Sequence, residues 1–173
     1  MQSIYLAGGC FWCTEAVFSL IKGVKKATPG YMGGELKNPT YNEVCSGKTG
    51  HAEVIKCDFN DKEIGLENLL TIFFSTHDPT QLNRQGNDVG TQYRSGIFFI
   101  EENQKTVSLK KIQEEEIKRG KKLATDVSKA EHFYIAEDYH LNYFNTNPSN
   151  PYCNIIISPK IRYLKSEFSE YLK

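Results

Sequence analysis

The apolar positions of this chain change period several times, and the changes mark out its elements. Residues 3–7 read as a strand that runs into Gly8-Gly9. Beyond the glycines, Cys13, Ala16, Val17, Leu20 and Ile21 fall at i, i+3, i+4, i+7 and i+8, one apolar stripe of a helix. Strand, glycine pair, cysteine and helix in that order put Cys10 at or just before a helix N-terminus. From Val24 to Gly34 the chain alternates, then turns through Pro29-Gly30 and Gly33-Gly34. Residues 52–59 predict a second clear strand, with Ala52, Val54 and Lys56 on one side and Glu53, Ile55 and Cys57 on the other. Leu66, Leu69, Leu70, Phe73 and Phe74 restore helical spacing, which stops before His77-Asp78-Pro79.

Residues 78–94 are polar, glycine-containing and without period; a stretch of that length is usually functional or disordered. Its glycine- and tyrosine-bearing turns and the abrupt return to strand at Gly96-Ile97-Phe98-Phe99-Ile100 favour function. A charged helix is predicted over 103–120, short strands near 124–128 and 132–136, and a last helix from Ser158-Pro159 with a stripe of Ile161, Leu164, Phe168 and Leu172. Strands and helices mix without a regular repeat, so the fold class is α+β, a mixed sheet with helices packed on it. No repeat, low-complexity tract or linker divides the chain, and 173 residues can bury a real core, so residues 1–173 are expected to form a single compact domain.

Charge narrows the partners. Formal net charge is zero, and the nearest thing to a basic patch, Lys118-Arg119-Gly120-Lys121-Lys122, follows Glu114, Glu115 and Glu116. That pattern reads as a solvated helix face, so nucleic acid is not an expected partner. No apolar run reaches the roughly 18 residues of a membrane span, and Met1 to Ala7 lacks the form of a signal peptide. A cytoplasmic monomer is expected.

Five cysteines stand at 10, 13, 45, 57 and 153. In a reducing compartment they argue against a disulfide framework. A second Cys-x-x-Cys knuckle is missing, which makes redox chemistry a better use of Cys10 and Cys13 than metal binding; no metal or other cofactor is expected. A thiol at a helix N-terminus is expected to have its pKa lowered by free N–H groups and the helix dipole. Most free cysteines are inert and buried. Two glycines before Cys10 and two large aromatics, Phe11 and Trp12, after it favour a reactive thiol beside an apolar pocket. Cys13 lies on its helix's apolar stripe, which suits packing as well as redox work.

Gly9-Cys10-Phe11-Trp12-Cys13-Thr14-Glu15 resembles the signature of the A-type peptide-methionine sulfoxide reductases. Further segments are similar to that family in the same order: Gly30-Tyr31-Met32-Gly33-Gly34, Asn38-Pro39-Thr40-Tyr41, Val44 to Glu53, His77-Asp78-Pro79-Thr80, Leu82 to Ser95, and Glu137-Asp138-Tyr139-His140. The resemblance implies a ferredoxin-like core and reduction of the S epimer of methionine sulfoxide, free or in peptides and proteins. It implies Cys10 as nucleophile, Glu53 as the acid beside it, and Tyr41 and Tyr93 as phenols that bind the sulfoxide oxygen. Asp88 would position substrate and Glu53, while Phe11 and Trp12 would wall the methyl pocket.

The chemistry fits those residue types. A sulfoxide sulfur is a sluggish electrophile until its oxygen is protonated or hydrogen-bonded, so a thiolate must attack while an acid donates. Glu53 can donate only if burial raises its pKa toward neutrality. Without the resemblance, Glu53 would be an ordinary strand carboxylate facing solvent, Tyr41 and Tyr93 core or rim aromatics, and Asp88 a turn residue. Once oxidised, Cys10 needs a second thiol. Cys153 follows an Asn/Pro-rich stretch within a segment, about 142–157, expected to be mobile; Cys13 is nearer in sequence, and many relatives carry a small residue there. Cys153 is favoured, with Cys45 and Cys57 as packing residues. The disulfide would then be opened by thioredoxin or another dithiol. Leu141 departs from the glutamine common in the family, and Arg84 and Arg94 either anchor the long loop or meet substrate. Two other readings, a thioredoxin-like oxidoreductase and a zinc- or peptide-binding domain, leave Glu53 and the tyrosine-rich segments without a task.

Overall fold

The computed structural model describes residues 1–173. Its centre is the antiparallel set β1 (Gln2–Gly8), β2 (Val24–Met32), β3 (Ala52–Phe59) and β6 (Ser95–Phe99), in the spatial order β6-β1-β3-β2. Helix α1 (Phe11–Phe18) joins β1 to β2, and α3 (Leu66–Ser75) lies on the connection from β3 to β6. This is the split β-α-β arrangement of a ferredoxin-like core. At one edge β7 (Asp126–Lys129) pairs parallel to β6, and at the other β8 (Tyr134–Ile135) pairs antiparallel to β2, so the whole sheet is mixed. The α+β expectation holds.

The two faces of β3 divide as its alternation requires. Ile55 and Cys57 point to the main core, shared with Ile4, Leu6, Phe11, Val17, Leu69 and Phe73. Ala52 and Val54 point the other way, into a smaller cluster with Ala7, Met32 and Phe98. Glu53 is therefore in phase with the main core.

Several boundaries differ from expectation. Helix α1 stops at Phe18; Leu20 and Ile21 leave it, and Ile21 forms a β-bridge with Leu172 near the C-terminus. A five-residue helix, α2 (Tyr41–Cys45), is set by a capping box between Thr40 and Glu43. The loop of 78–94 holds a small hairpin, β4 (Arg84–Gln85) with β5 (Asp88–Val89), then a 3-10 turn at Thr91–Tyr93. Arg94 fastens that loop, donating to the carbonyls of Thr91 (2.8 Å) and Gly50 (3.0 Å), while Arg84 donates to Gly86 within its own hairpin. Both arginines thus serve as anchors. Helix α4 (Glu102–Arg119) ends at Gly120 in the left-handed conformation, and Arg119 pairs with Glu115 and donates to the Phe74 carbonyl, as a helix end rather than a binding patch.

The stretch 142–157 is packed in this structure. It forms α5 (Tyr143–Thr146), a turn, and a π-helical segment at Cys153–Ile157 that runs straight into α6 (Ser158–Glu167). Ser158-Pro159 is thus a mid-course change of hydrogen bonding, not a helix start. Cys153, Ile157, Ile161 and Leu164 all join the main core.

Candidate active site

Gly9 makes the junction of β1 and α1 possible. Its φ is +95°, and a Cβ there would sit 2.8 Å from the Gln85 side chain. The next residue, Cys10, is the N-cap of α1, in extended conformation, with no side-chain cap of its own. The first turn of α1 contains no acidic residue. Its free amide at Phe11 instead donates to the Glu53 carboxylate from β3, at 3.1 Å.

Glu53 is 1% exposed, and its second oxygen, Oε2, is buried without a hydrogen-bond partner. Burial is the largest influence on it and raises its pKa to about 8; the negative charges of Asp88 and Cys13 add to this, against the Phe11 amide. Desolvation wins over the helix end, and Glu53 stays largely protonated at neutral pH. The solvent-face alternative for Glu53 is excluded by its burial.

The expectation of a lowered Cys10 pKa is overturned. Cys10 is 7% exposed; burial, the neighbouring Cys13 and Glu53 push its thiol well up, and one helix terminus does not offset them. Cys13 moves the opposite way. The hydrogen bond from Cys10 pulls it down to about 7 against its burial, with Lys160 and the Tyr152 hydroxyl helping. The pair thus shares a proton held on Cys10, with Cys13 the more readily ionised sulfur.

The aromatic residues gather around this pair. Phe11 is wholly buried, its ring 5.7 Å from Tyr31 and 6.3 Å from Tyr41. Trp12 is half-buried, stacked 3.7 Å from Tyr143, 6.4 Å from Tyr41, and edge-on to Tyr152 at 5.9 Å. The phenols of Tyr41 and Tyr93 are both raised, first by burial, then by Cys45 and Glu53 at Tyr41 and by Glu53 and Cys45 at Tyr93, and both lie within the influence of Cys10. Cys45 lies beside both phenols, whereas Cys57 is sealed in the core. Asp88, from the hairpin, accepts a 2.6 Å hydrogen bond from the Tyr152 hydroxyl, which also lies 3.7 Å from the Cys13 sulfur. Cys10, Cys13, Asp88, Tyr152 and Lys160 line a cavity of about 110 Å³. A larger concavity of about 740 Å³, between Gly33–Leu36 and the 46–50 turn, is lined by no cysteine.

The structure therefore brings together Cys10, Cys13, Glu53, Phe11, Trp12, Tyr41, Tyr93 and Asp88. Cys153 stands apart. It is 0% exposed, outside the cavity, and the charge it feels is that of Cys13.

Five neighbours escaped the reading of the sequence. Glu15, though in the signature, accepts from the Asn142 amide at 2.9 Å and so holds α5 over Trp12. Glu137 receives the Tyr31 hydroxyl and the Tyr41 amide, both at 2.9 Å, joining β2 to α2. His140 is fully buried and accepts from the Trp12 indole N–H at 2.9 Å, which fixes the indole plane. Tyr143 and Tyr152 lie in the stretch expected to be mobile; their signal is three aromatics, with Phe144, in an otherwise polar, Asn- and Pro-rich run.

A buried acid protonated at neutral pH, held on the first amide of a helix that begins at a thiol and ringed by phenols, can protonate an oxygen while sulfur attacks. That arrangement on a ferredoxin-like core defines a thiol oxidoreductase. The family model of peptide methionine sulfoxide reductase matches residues 2–172, and the chain belongs to that family; its reaction is the reduction of methionine sulfoxide. It is 53% identical over 172 residues to peptide methionine sulfoxide reductase MsrA of Pasteurella multocida, covering 99% of both chains. Among solved structures it is similar to reduced Mxr1 of Saccharomyces cerevisiae, with TM-score 0.83, 39% identity and 88% of each chain covered. Mxr1 in complex with Trx2 is also similar, with TM-score 0.58, 29% identity, and 82% and 84% covered.

Proposed function

We propose that this chain reduces the S epimer of methionine sulfoxide, free or in proteins, and that its biological role is repair of oxidised protein. Cys10 is the nucleophile and Glu53 the proton donor. The observation that carries the reading is the buried Glu53 carboxyl, with one oxygen free and the other on the first turn of the Cys10 helix. Glu53 protonates the sulfoxide oxygen while Cys10 attacks sulfur; its thiol proton is released as the S–S bond forms. Collapse breaks that S–S bond and the substrate's S–O bond as the oxygen passes to the Cys10 sulfur, and the released thiol proton restores Glu53; methionine and Cys10 sulfenic acid result, a net oxygen transfer from the sulfoxide to the thiol. Tyr41 and Tyr93 hold the oxygen, Trp12 over buried Phe11 takes the methyl group, and Asp88 positions the rest of the substrate. Three directed contacts on a pyramidal sulfur fit one hand only.

A second thiol among Cys13 and Cys153 then closes a disulfide. Thioredoxin or a comparable dithiol opens it, in line with the relative solved as a complex with Trx2. Mobility of the segment about 142–157 serves substrate entry, since Tyr143 and Tyr152 cover the site at rest. The chain acts as a monomer in the cytoplasm, where such reductants work.

The test uses resolved sulfoxide epimers with dithiothreitol. Wild type is expected to convert the S epimer at least about a hundredfold faster than the R epimer, as the loss of well-placed polar contacts predicts, and Cys10→Ser is expected to form no methionine. Comparable rates on both epimers, or turnover by Cys10→Ser, would overturn the reading.

A further inference from the structure

The segment from Glu137 to His140 is one tight turn, and each end of it holds a different wall of the site. Glu137 caps the turn, and His140 closes it by donating its N–H to the Glu137 carbonyl at 3.0 Å. The sheet fastens the turn where it begins: Ala136 N–H donates to the Pro29 carbonyl at 3.0 Å, beside the pairing of Ile135 with Gly30. At the first end, the Glu137 carboxylate takes the Tyr31 hydroxyl on one oxygen and the Tyr41 amide on the other, both at 2.9 Å. At the last end, the His140 ring takes the Trp12 indole N–H at 2.9 Å. The three rings close a triangle, with Tyr41 4.4 Å from His140 and 6.4 Å from Trp12, and Trp12 5.8 Å from His140.

Tyr41 needs this hold. Its helix α2 has five residues and buries only Val44, and the capping box joins Thr40 to Glu43 within α2 itself. The far end is tied by the Gln92 side-chain amide, which donates to the Cys45 carbonyl at 3.2 Å. The first turn reaches another element through one hydrogen bond, that from the Tyr41 amide to Glu137. So short a helix has little stability of its own, and the carboxylate decides where Tyr41 stands. That carboxylate is anchored in turn, because Tyr31 is wholly buried in β2 and its hydroxyl fixes the carboxylate plane.

We propose that Glu137 is a positioning residue for stereochemistry: through one rigid turn it sets the spacing between the Tyr41 phenol, which holds the sulfoxide oxygen, and the Trp12 ring, which takes the methyl group. The inference rests on the roles given above to Tyr41 and Trp12 and adds the part that fixes their separation. Glu137 works through Tyr41, not by contact with the substrate.

The two epimers differ only in the hand with which oxygen, methyl and carbon chain are arranged about sulfur as Cys10 approaches. A fixed spacing between the oxygen and methyl walls rewards one hand. A misplacement of about 1 Å can lower a rate by about a hundredfold. Loss of the hold should therefore hurt the S epimer selectively, since the R epimer has no paired fit to lose. The charge on Glu137 suits this task. Burial acts to raise its pKa, but the Tyr41 amide and the Tyr31 hydroxyl hold it below the ordinary carboxyl value. It accepts on both oxygens at neutral pH, in the opposite state to Glu53. Glutamine in its place can keep both partners: its oxygen accepts from Tyr41, and its NH₂ donates to a Tyr31 hydroxyl turned round to accept. Alanine keeps neither.

The closing experiment measures single-turnover methionine formation from resolved S and R epimers of methionine sulfoxide. Wild type, Glu137→Ala, Glu137→Gln and Tyr31→Phe are compared, each checked for cooperative thermal unfolding. Glu137→Ala is expected to slow the S epimer at least about tenfold and the R epimer little, so that the S-to-R ratio falls about tenfold. Glu137→Gln should restore most of that ratio, and Tyr31→Phe, which frees one arm of the carboxylate, should fall between. Equal slowing of both epimers in Glu137→Ala, with the wild-type ratio kept, would show that Glu137 serves the fold alone and would overturn the inference. If Glu137→Ala does not unfold cooperatively, Tyr31→Phe decides, and a wild-type ratio there overturns the inference likewise. A wild type that does not discriminate between the epimers would instead overturn the roles of Tyr41 and Trp12 themselves.

Discussion

Glu53 is the residue on which local physics and chemistry meet. Its raised pKa is a stability statement as well as a catalytic one. Between the ordinary carboxyl value of 4.5 and its folded value of about 8, the unfolded chain has lost the proton and the folded chain keeps it. Folding stability therefore falls as pH rises through that window. At pH 7 the deficit is on the order of 3 kcal/mol, at 1.36 kcal/mol per pH unit between the unfolded pKa and pH 7. Glu53→Gln removes the titration and keeps an acceptor for the Phe11 amide. It should melt higher than wild type at pH 7–8, with the difference shrinking toward pH 5, as thermal unfolding at several pH values would show. The same variant should lose about 10²–10⁴ in single-turnover methionine formation with little change in binding. A near-normal rate at pH 7 would place the acid elsewhere. In wild type the chemical step should slow as pH passes through about 8, because the donor ionises. Much of this was open to a reader of the sequence: Glu53 alternates in phase with Ile55 and Cys57, and a carboxylate in step with core residues is itself a signal. Its neighbours were not legible, because which amide and which thiol meet it depends on β1 and β3 pairing across the sheet.

The elements show where a periodic reading succeeds and where it runs out. Strands β1 and β3 and helices α1 and α3 carry enough apolar repeats to be read directly, and α4 shows itself as a charged helical run. Helix α2 buries only Val44, so hydrophobic period could not reveal it; the Thr40-x-x-Glu43 capping box was the available sign. The two-residue strands β4, β5 and β8 are too short for any period. The C-terminal segment was read as loose from its asparagines and prolines, yet tertiary contacts hold it: Glu15 on Asn142, Trp12 under Tyr143, Asn150 on Tyr143 and Asp88 on Tyr152. The last of these is a hydrogen bond to a carboxylate, a kind that contributes about 1.5–3 kcal/mol. Tyr152→Phe should weaken the cover over the dithiol and speed alkylation of Cys10 and Cys13 in the substrate-free enzyme by about tenfold, measured by mass against time. Unchanged labelling would mean that the packing of 142–151, not this bond, keeps the site shut.

At the scale of the molecule, the site is a product of strand order. Central β1 delivers Cys10; β3 on one side delivers Glu53; the loop entering β6 on the other side delivers Asp88 and Tyr93. The C-terminal chain closes the fourth side, and it is structural as well as functional. Cys153, Ile157, Ile161 and Leu164 are all buried in the main core. At about 1.5–3 kcal/mol for each large apolar side chain taken out of the core, removing them would consume much of the roughly 5–15 kcal/mol by which domains are stable. A chain ending at residue 141 is therefore expected to lose cooperative thermal unfolding, not to become an enzyme merely freed of its cover. Cys153→Ala removes one sulfur and leaves the packing of Ile157, Ile161 and Leu164, so it should still unfold cooperatively. It should keep dithiothreitol-driven turnover, since a small dithiol reduces Cys10 sulfenic acid directly, and lose most of its thioredoxin-driven turnover. Equal loss with both reductants would show that Cys153 serves the fold rather than recycling. A truncated chain that melts like wild type would show that the C-terminal core residues contribute far less than their burial requires.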